Sequence, residues 1–326
     1  MRLLTRADGP SRHLRDSSRP PELGTIARVL RPSAVLAAVA CLAVLPAAPA
    51  SAVVDAPGAL TMNGVQRTYV LHIPPGDHPN GLVINLHGAG MTGQSQAAAT
   101  NYNAVADRFG FAVVYPDGVD MSWADGRGAS TPDRTGVDDV GFLAALADRI
   151  VRDYGIPPGR VFAAGMSAGA FMAERLACQR ADVVAAVAAV AGTLGSGVPC
   201  GPSRPVSVLQ VHGTADPVVP FNGGPMVGRG GPSDVVAAPV MADRWRGLNG
   251  CPGAPVAGDL PSAGDGTGVR LLTSGGCAAG SEVQLVEVDG GGHTWPGGAT
   301  APAAGLTTRA FDASGASAQF FADHGR

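Results

Sequence analysis

The chain has 326 residues, a formal net charge of −3 and a composition that is 45% hydrophobic against 15% charged. That balance excludes a disordered chain and is ample for one large buried core. It also lacks the basic footprint of a nucleic-acid binder, so no nucleic-acid partner is expected.

Residues 1–52 read as a leader. Seven arginines (Arg2, Arg6, Arg12, Arg15, Arg19, Arg28, Arg31) precede an apolar run from Ala34 to Leu45. Pro46 breaks the run, and Ala50-Ser51-Ala52 offers a small-residue cleavage site. The run is too short to span a bilayer comfortably. Secretion without stable membrane association is therefore expected. The arginine-rich stretch is long for a signal peptide, and a start nearer Val29 gives a more ordinary leader. The leader carries seven arginines with Asp8, Asp16 and Glu22, which leaves 16 basic and 23 acidic residues beyond it, a net of −7. Residues 53–326 suit one catalytic domain, with no separate substrate-binding domain and a monomeric state expected. Beyond Cys41 the cysteines are Cys178, Cys200, Cys251 and Cys277. An even count in an exported chain points to two disulfides, and of the three pairings the sequence-local one, Cys178–Cys200 with Cys251–Cys277, is preferred. No C-x2-C spacing and no neighbouring histidine support a zinc site.

In chain order, Gly58–Met62 and Gln66–Ile73 read as strands about Asn63-Gly64, a hairpin signal. Leu82–Leu86 is of buried-strand type. A helix is expected over Gln94–Phe109, then a strand over Phe111–Tyr115. The polar, glycine-rich stretch Asp117–Val137 reads as a loop, and Asp138–Tyr154 as a helix stopped by Gly155. Val161–Ala164 is a strand, Val183–Val190 another by position, and Val206–Val211 a clearer one. Val235–Leu248 reads as a helix whose start Pro239 disturbs. Val269–Thr273 and Val283–Val288 are strands, and Thr308–Phe321 is helical. Strands alternating with helices predict an α/β fold with a mainly parallel sheet covered on both faces.

Gly165-Met166-Ser167-Ala168-Gly169 falls between such a strand and the apolar stretch Ala170–Leu176. A strand, a sharp turn and a helix are the context of a nucleophile elbow, in which flanking glycines let the serine oxygen project alone. Ester hydrolysis by serine also needs a base, an acid that orients it, and oxyanion donors. The acid and base should lie downstream, on loops after strands, in the order serine, acid, histidine. Asp216, in His212-Gly213-Thr214-Ala215-Asp216, meets this for the acid. His293, in the glycine-rich loop after Val283–Val288, meets it for the base. The oxyanion donors should be the N–H of Ala168 and one from His87-Gly88-Ala89-Gly90, with Ala89 preferred over Gly88 or Gly90. His87 is expected to brace that loop rather than to react. Trp295 and Trp123 are candidates to line the substrate site.

Taken in order, Leu86-His87-Gly88, Trp123 with Asp125-Gly126-Arg127, Val137-Asp138-Asp139-Val140-Gly141-Phe142, the Ser167 pentapeptide, His212–Asp216 and Gly291-Gly292-His293-Thr294-Trp295-Pro296-Gly297-Gly298 form a recognisable set. Over residue 58 to the end the chain resembles the polyhydroxybutyrate-depolymerase-like esterase family of secreted α/β-hydrolases, whose pattern feruloyl and acetylxylan esterases share. The resemblance implies the α/β-hydrolase fold, a Ser167-Asp216-His293 triad, carboxylic ester substrates, and neither metal nor organic cofactor. Unlike larger polymer-degrading members, the chain shows no linker and no added substrate-binding domain. That favours soluble oligomers or amorphous material over crystalline polymer.

Overall fold

The computed structural model describes residues 54–76, 78–299 and 302–326, so the expected leader lies outside the described residues. Strands β1 (Val54–Met62) and β2 (Val65–Ile73) pair across Asn63 and Gly64. Both turn residues have positive φ, 50° and 77°, as a two-residue turn matching the strand twist requires. The sheet continues through β3 (Gly81–Leu86), β4 (Phe111–Pro116), β5 (Val161–Met166), β6 (Ala186–Val190) and β7 (Ser207–Gly213). A separate hairpin, β8 (Gly224–Gly228) and β9 (Gly231–Val235), follows. Strands β10 (Val256–Asp259), β11 (Gly268–Ser274) and β12 (Val283–Asp289) complete the main sheet.

Its order is β1-β2-β4-β3-β5-β6-β7-β12-β11-β10. From β4 to β12 the neighbours run parallel, and both edges are antiparallel. Every residue of β3, β4, β6 and β7 is buried, which is why these strands read as mostly apolar runs. Alternate side chains feed two cores. Leu82, Ile84 and Leu86 pack with Phe142 and Leu146 of α4 (Asp139–Tyr154), Met172 of α5 (Ala168–Gln179) and Trp245 of α6 (Ala238–Leu248). On the opposite face Val83 and Phe162 pack with Val105 of α2 (Tyr102–Phe109) and Phe321 of α7 (Ala313–Asp323). Helices on both faces of a largely parallel sheet make this the α/β-hydrolase fold.

Several elements depart from expectation. The single helix over Gln94–Phe109 is two, α1 (Gly93–Thr100) and α2. Asn101 between them is left-handed at φ 47°, a conformation asparagine tolerates better than most residues. Pro239 falls in the first turn of α6, where it lacks no bond, so the helix starts at Ala238 and Val235 belongs to β9. Asp312 caps α7 by accepting from the Ser314 N–H, moving its start to Ala313. Within the expected loop lies a short helix, α3 (Thr131–Arg134). Disulfides join Cys178 to Cys200 and Cys251 to Cys277. Among the described residues no helix is long and apolar enough to cross a membrane.

Candidate active site

Ser167 ends β5 and begins α5 with φ 54° and ψ −118°, a strained conformation for a residue bearing a side chain. Backbone contacts hold it there. The Ser167 N–H donates to Val190 O at 2.9 Å, and its carbonyl accepts from the Phe171 N–H at 3.0 Å. A methyl group at Gly165 would overlap the Gly169 carbonyl, and one at Gly169 would overlap the Leu86 carbonyl. One at Gly192 would come within 2.7 Å of Ser167 O. The glycines of the pentapeptide are thus demanded by close approach of three chain segments.

Because β7 and β12 are parallel neighbours, the loops that follow them leave the sheet side by side. The Asp216 side chain on the first is fully buried, and the His293 side chain on the second is 12% exposed. Asp216 Oδ1 accepts the N–H groups of Val218 at 2.7 Å and Val219 at 2.8 Å. Its Oδ2 lies 2.9 Å from His293 Nδ1. A carboxylate so placed only accepts, so Nδ1 carries the imidazole proton and Nε2 is left as a base. His212 also packs beside Asp216, where the sequence shows it only as a neighbour that precedes that residue. It is buried, and burial holds its pKa below the usual histidine value. Its Nε2–H donates to Val219 O at 2.9 Å and lies 3.6 Å from Asp216 Oδ2, so it steadies the Asp216 loop.

The loop after β3 is braced as expected. His87 is buried, accepts the Gly118 N–H at Nε2 (2.9 Å) and donates from Nδ1 to Gly88 O (2.9 Å). Burial lowers its pKa, which suits the neutral tautomer those partners require. The Gly90 N–H is spent on Met121 O at 2.8 Å, which removes Gly90 as an oxyanion donor. The paired aspartates of the Asp138-Asp139 segment do separate work. Asp138 caps α4 through the Gly141 N–H, whereas buried Asp139 pairs with Arg67 at 2.8 Å and holds the Ala124 N–H at 2.7 Å. Burial raises the pKa of Asp139, and Arg67 opposes the rise.

Ser167, His293, Ala168 and Ala89 line one cavity of about 230 Å³, to which the β8–β9 hairpin also contributes lining residues. Among the described residues no hydrogen bond joins Ser167 Oγ to His293, a contact that often tightens only when substrate binds. A larger hollow of about 320 Å³ beside α6 holds none of these groups, so volume does not locate the chemistry. Neither tryptophan lines the cavity, contrary to expectation. Trp123 is fully buried against His87, with its indole N–H on His87 O at 2.9 Å. Trp295 is buried in the second core and donates to Ser314 Oγ at 3.0 Å. Each ring's apolar surface and N–H are taken up by the protein itself.

Residues 67–275 match the family described as esterase PHB depolymerase. The chain is 33% identical over 253 residues to NocK of Nocardia uniformis subsp. tsuyamanensis, a protein named as an esterase, covering 72% of each chain. It is 31% identical over 242 residues to feruloyl esterase C of Emericella nidulans, covering 72% of this chain and 78% of that one. Acetyl xylan esterase from Aspergillus awamori shares the fold, with a TM-score of 0.52 at 16% identity over 73% of this chain and 94% of that chain. The chain therefore belongs to the esterase PHB depolymerase family, and it is a carboxylic ester hydrolase of the serine hydrolase class.

Proposed function

We propose that Ser167, His293 and Asp216 form the catalytic triad, with the Ala168 and Ala89 N–H groups as oxyanion donors. The observation that carries this reading is the 2.9 Å Asp216–His293 contact at a cavity shared with a strained serine. Ser167 Oγ attacks the ester carbonyl while His293 Nε2 takes its proton. Asp216 stabilises the imidazolium, and the two N–H groups hold the oxyanion. His293 then protonates the departing alcohol, leaving an acyl group on Ser167. Water, deprotonated by the same imidazole, releases that acyl group as the acid.

The substrates proposed are oligomers of polyhydroxybutyrate type, other polyesters and short-chain esters. The family match supports this, and so does a cavity below the ~300–1,000 Å³ usual for drug-sized ligands. A second reading is a feruloyl or acetylxylan esterase, favoured by the 31% identity to feruloyl esterase C. The two disulfides support action outside the cell, where such bonds persist.

Ser167→Ala is expected to lower kcat on p-nitrophenyl acetate by roughly 10³-fold or more. Unchanged turnover would sink the assignment. Comparing kcat/KM on methyl ferulate and on hydroxybutyrate oligomers separates the two substrate readings.

A further inference from the structure

We propose that the Ser167 cavity selects esters bearing a free carboxylate, which Arg229 and Arg127 recognise beside the nucleophile. The inference rests on the triad reading above and narrows the substrate. Arg127 and Arg229 line the cavity, and no aspartate or glutamate does. Since residues 53–326 carry a net charge of −7, this cationic lining runs against the rest of the chain. Local fields of that kind concentrate the opposite charge at the site.

The two arginines are held differently. Arg127 is nearly buried, and its Nε and Nη2 grip Asp125 at 3.0 and 2.7 Å. Its guanidinium lies 3.7 Å over the Phe171 ring. The Nη1 edge meets only Met226 Sδ at 3.7 Å, a weak acceptor. That leaves the Nη1 donors without a strong acceptor among the described residues, on a side chain of the cavity lining. Arg229, on the turn between β8 and β9, is 41% exposed. Its Nη1 donates to Asp120 O at 2.8 Å, and its Nη2 is 3.5 Å from Asp120 Oδ1. The same side chain lies against Gly90 of the oxyanion loop, where a Cβ would be 3.4 Å from its Cδ. Asp120 and Asp125 face the guanidiniums from outside the lining, so they anchor the cations without occupying the space.

A guanidinium edge matches a carboxylate in plane and in charge. Acetyl and feruloyl groups offer no such anion, whereas a hydroxyacid oligomer ends in one. A cavity of only about 230 Å³ suits such a chain end better than a segment that must run through. Water added across the terminal ester would release one hydroxyacid and leave the rest of the chain as the acid.

The test compares kcat/KM for the free-acid dimer of 3-hydroxybutyrate with that for its methyl ester. The free acid is expected to be preferred by about tenfold or more at low salt. Arg229→Gln should bring the ratio close to one, and Arg229→Lys should restore part of it. A wild-type ratio of one or below overturns the proposal. So does an Arg229→Gln variant that slows both esters equally, which would make Arg229 a hairpin anchor only. Hydrolysis of p-nitrophenyl acetate is measured alongside. If it depends on Ser167 while the dimer ratio is one, the triad stands and only the carboxylate preference falls.

Discussion

Ser167 and His293 line the same cavity, yet the chain holds them by different means. Ser167 sits where β5, the loop after β3 and the segment after β6 press backbone against backbone, in space that only glycine leaves free. His293 and Asp216 sit on loops, and hydrogen bonds from Val218, Val219 and the neighbourhood of His212 position them. Steric fixation would suit the proposed nucleophile, whose strained backbone must be kept in place. Hydrogen-bond fixation would suit the proposed acid and base, which must keep one tautomer while a proton moves. The two sides should therefore fail differently when mutated.

The largest effect is expected on the steric side. Gly169→Val would drive a side chain into the Leu86 and His87 carbonyls. A cost of about 4 kcal/mol or more follows, a large share of any domain's stability. Denaturant unfolding should show a collapse of the midpoint, and a midpoint near wild type would refute the steric account. On the other side Asp216→Asn should leave the fold intact, because the amide oxygen can still accept from Val218 and Val219. Its NH2 would face His293 Nδ1 and enforce the wrong tautomer, lowering kcat by about 10³–10⁴-fold. Full activity in that variant would remove Asp216 from the mechanism.

A smaller effect is expected at Glu174, two turns along α5 from the serine. This carboxyl is fully buried, and burial pushes its pKa from 4.5 up to about 8, with the Trp245 indole N–H at 2.7 Å opposing the shift. The folded state thus keeps a proton that the unfolded chain gives up near pH 4.5. Its contribution to stability is fully present below that pH and is lost progressively as pH rises to about 8. Glu174→Gln cannot ionise, so its unfolding free energy should fall less steeply between about pH 5 and 8. Identical slopes in wild type and variant would show that the carboxyl is already ionised in the fold.

Much of this arrangement was legible in the sequence, because it is written in local pattern. Mostly apolar runs announced β3, β4 and β7, Asn63-Gly64 announced the first hairpin, and Asp216 and His293 followed strands in the order a triad requires. What escaped depends on contacts between distant segments. The β8–β9 hairpin is glycine- and proline-rich, and only Met226 and Val235 of it are buried, so no alternation marks it. Asn101 splits a helix that composition alone would continue. Trp123 and Trp295 look like exposed loop aromatics until His87 O and Ser314 Oγ are found to accept their N–H groups. His212 reads as a residue merely preceding the acid, and only the fold shows it donating to Val219 O.

The most direct test of the central claim is intact-protein and peptide mass spectrometry after exposure to a fluorophosphonate. Wild-type protein should gain one adduct, located on Ser167. His293→Ala should gain it far more slowly, and Ser167→Ala not at all. An adduct on another residue, or labelling of Ser167 at an undiminished rate without His293, would contradict the account.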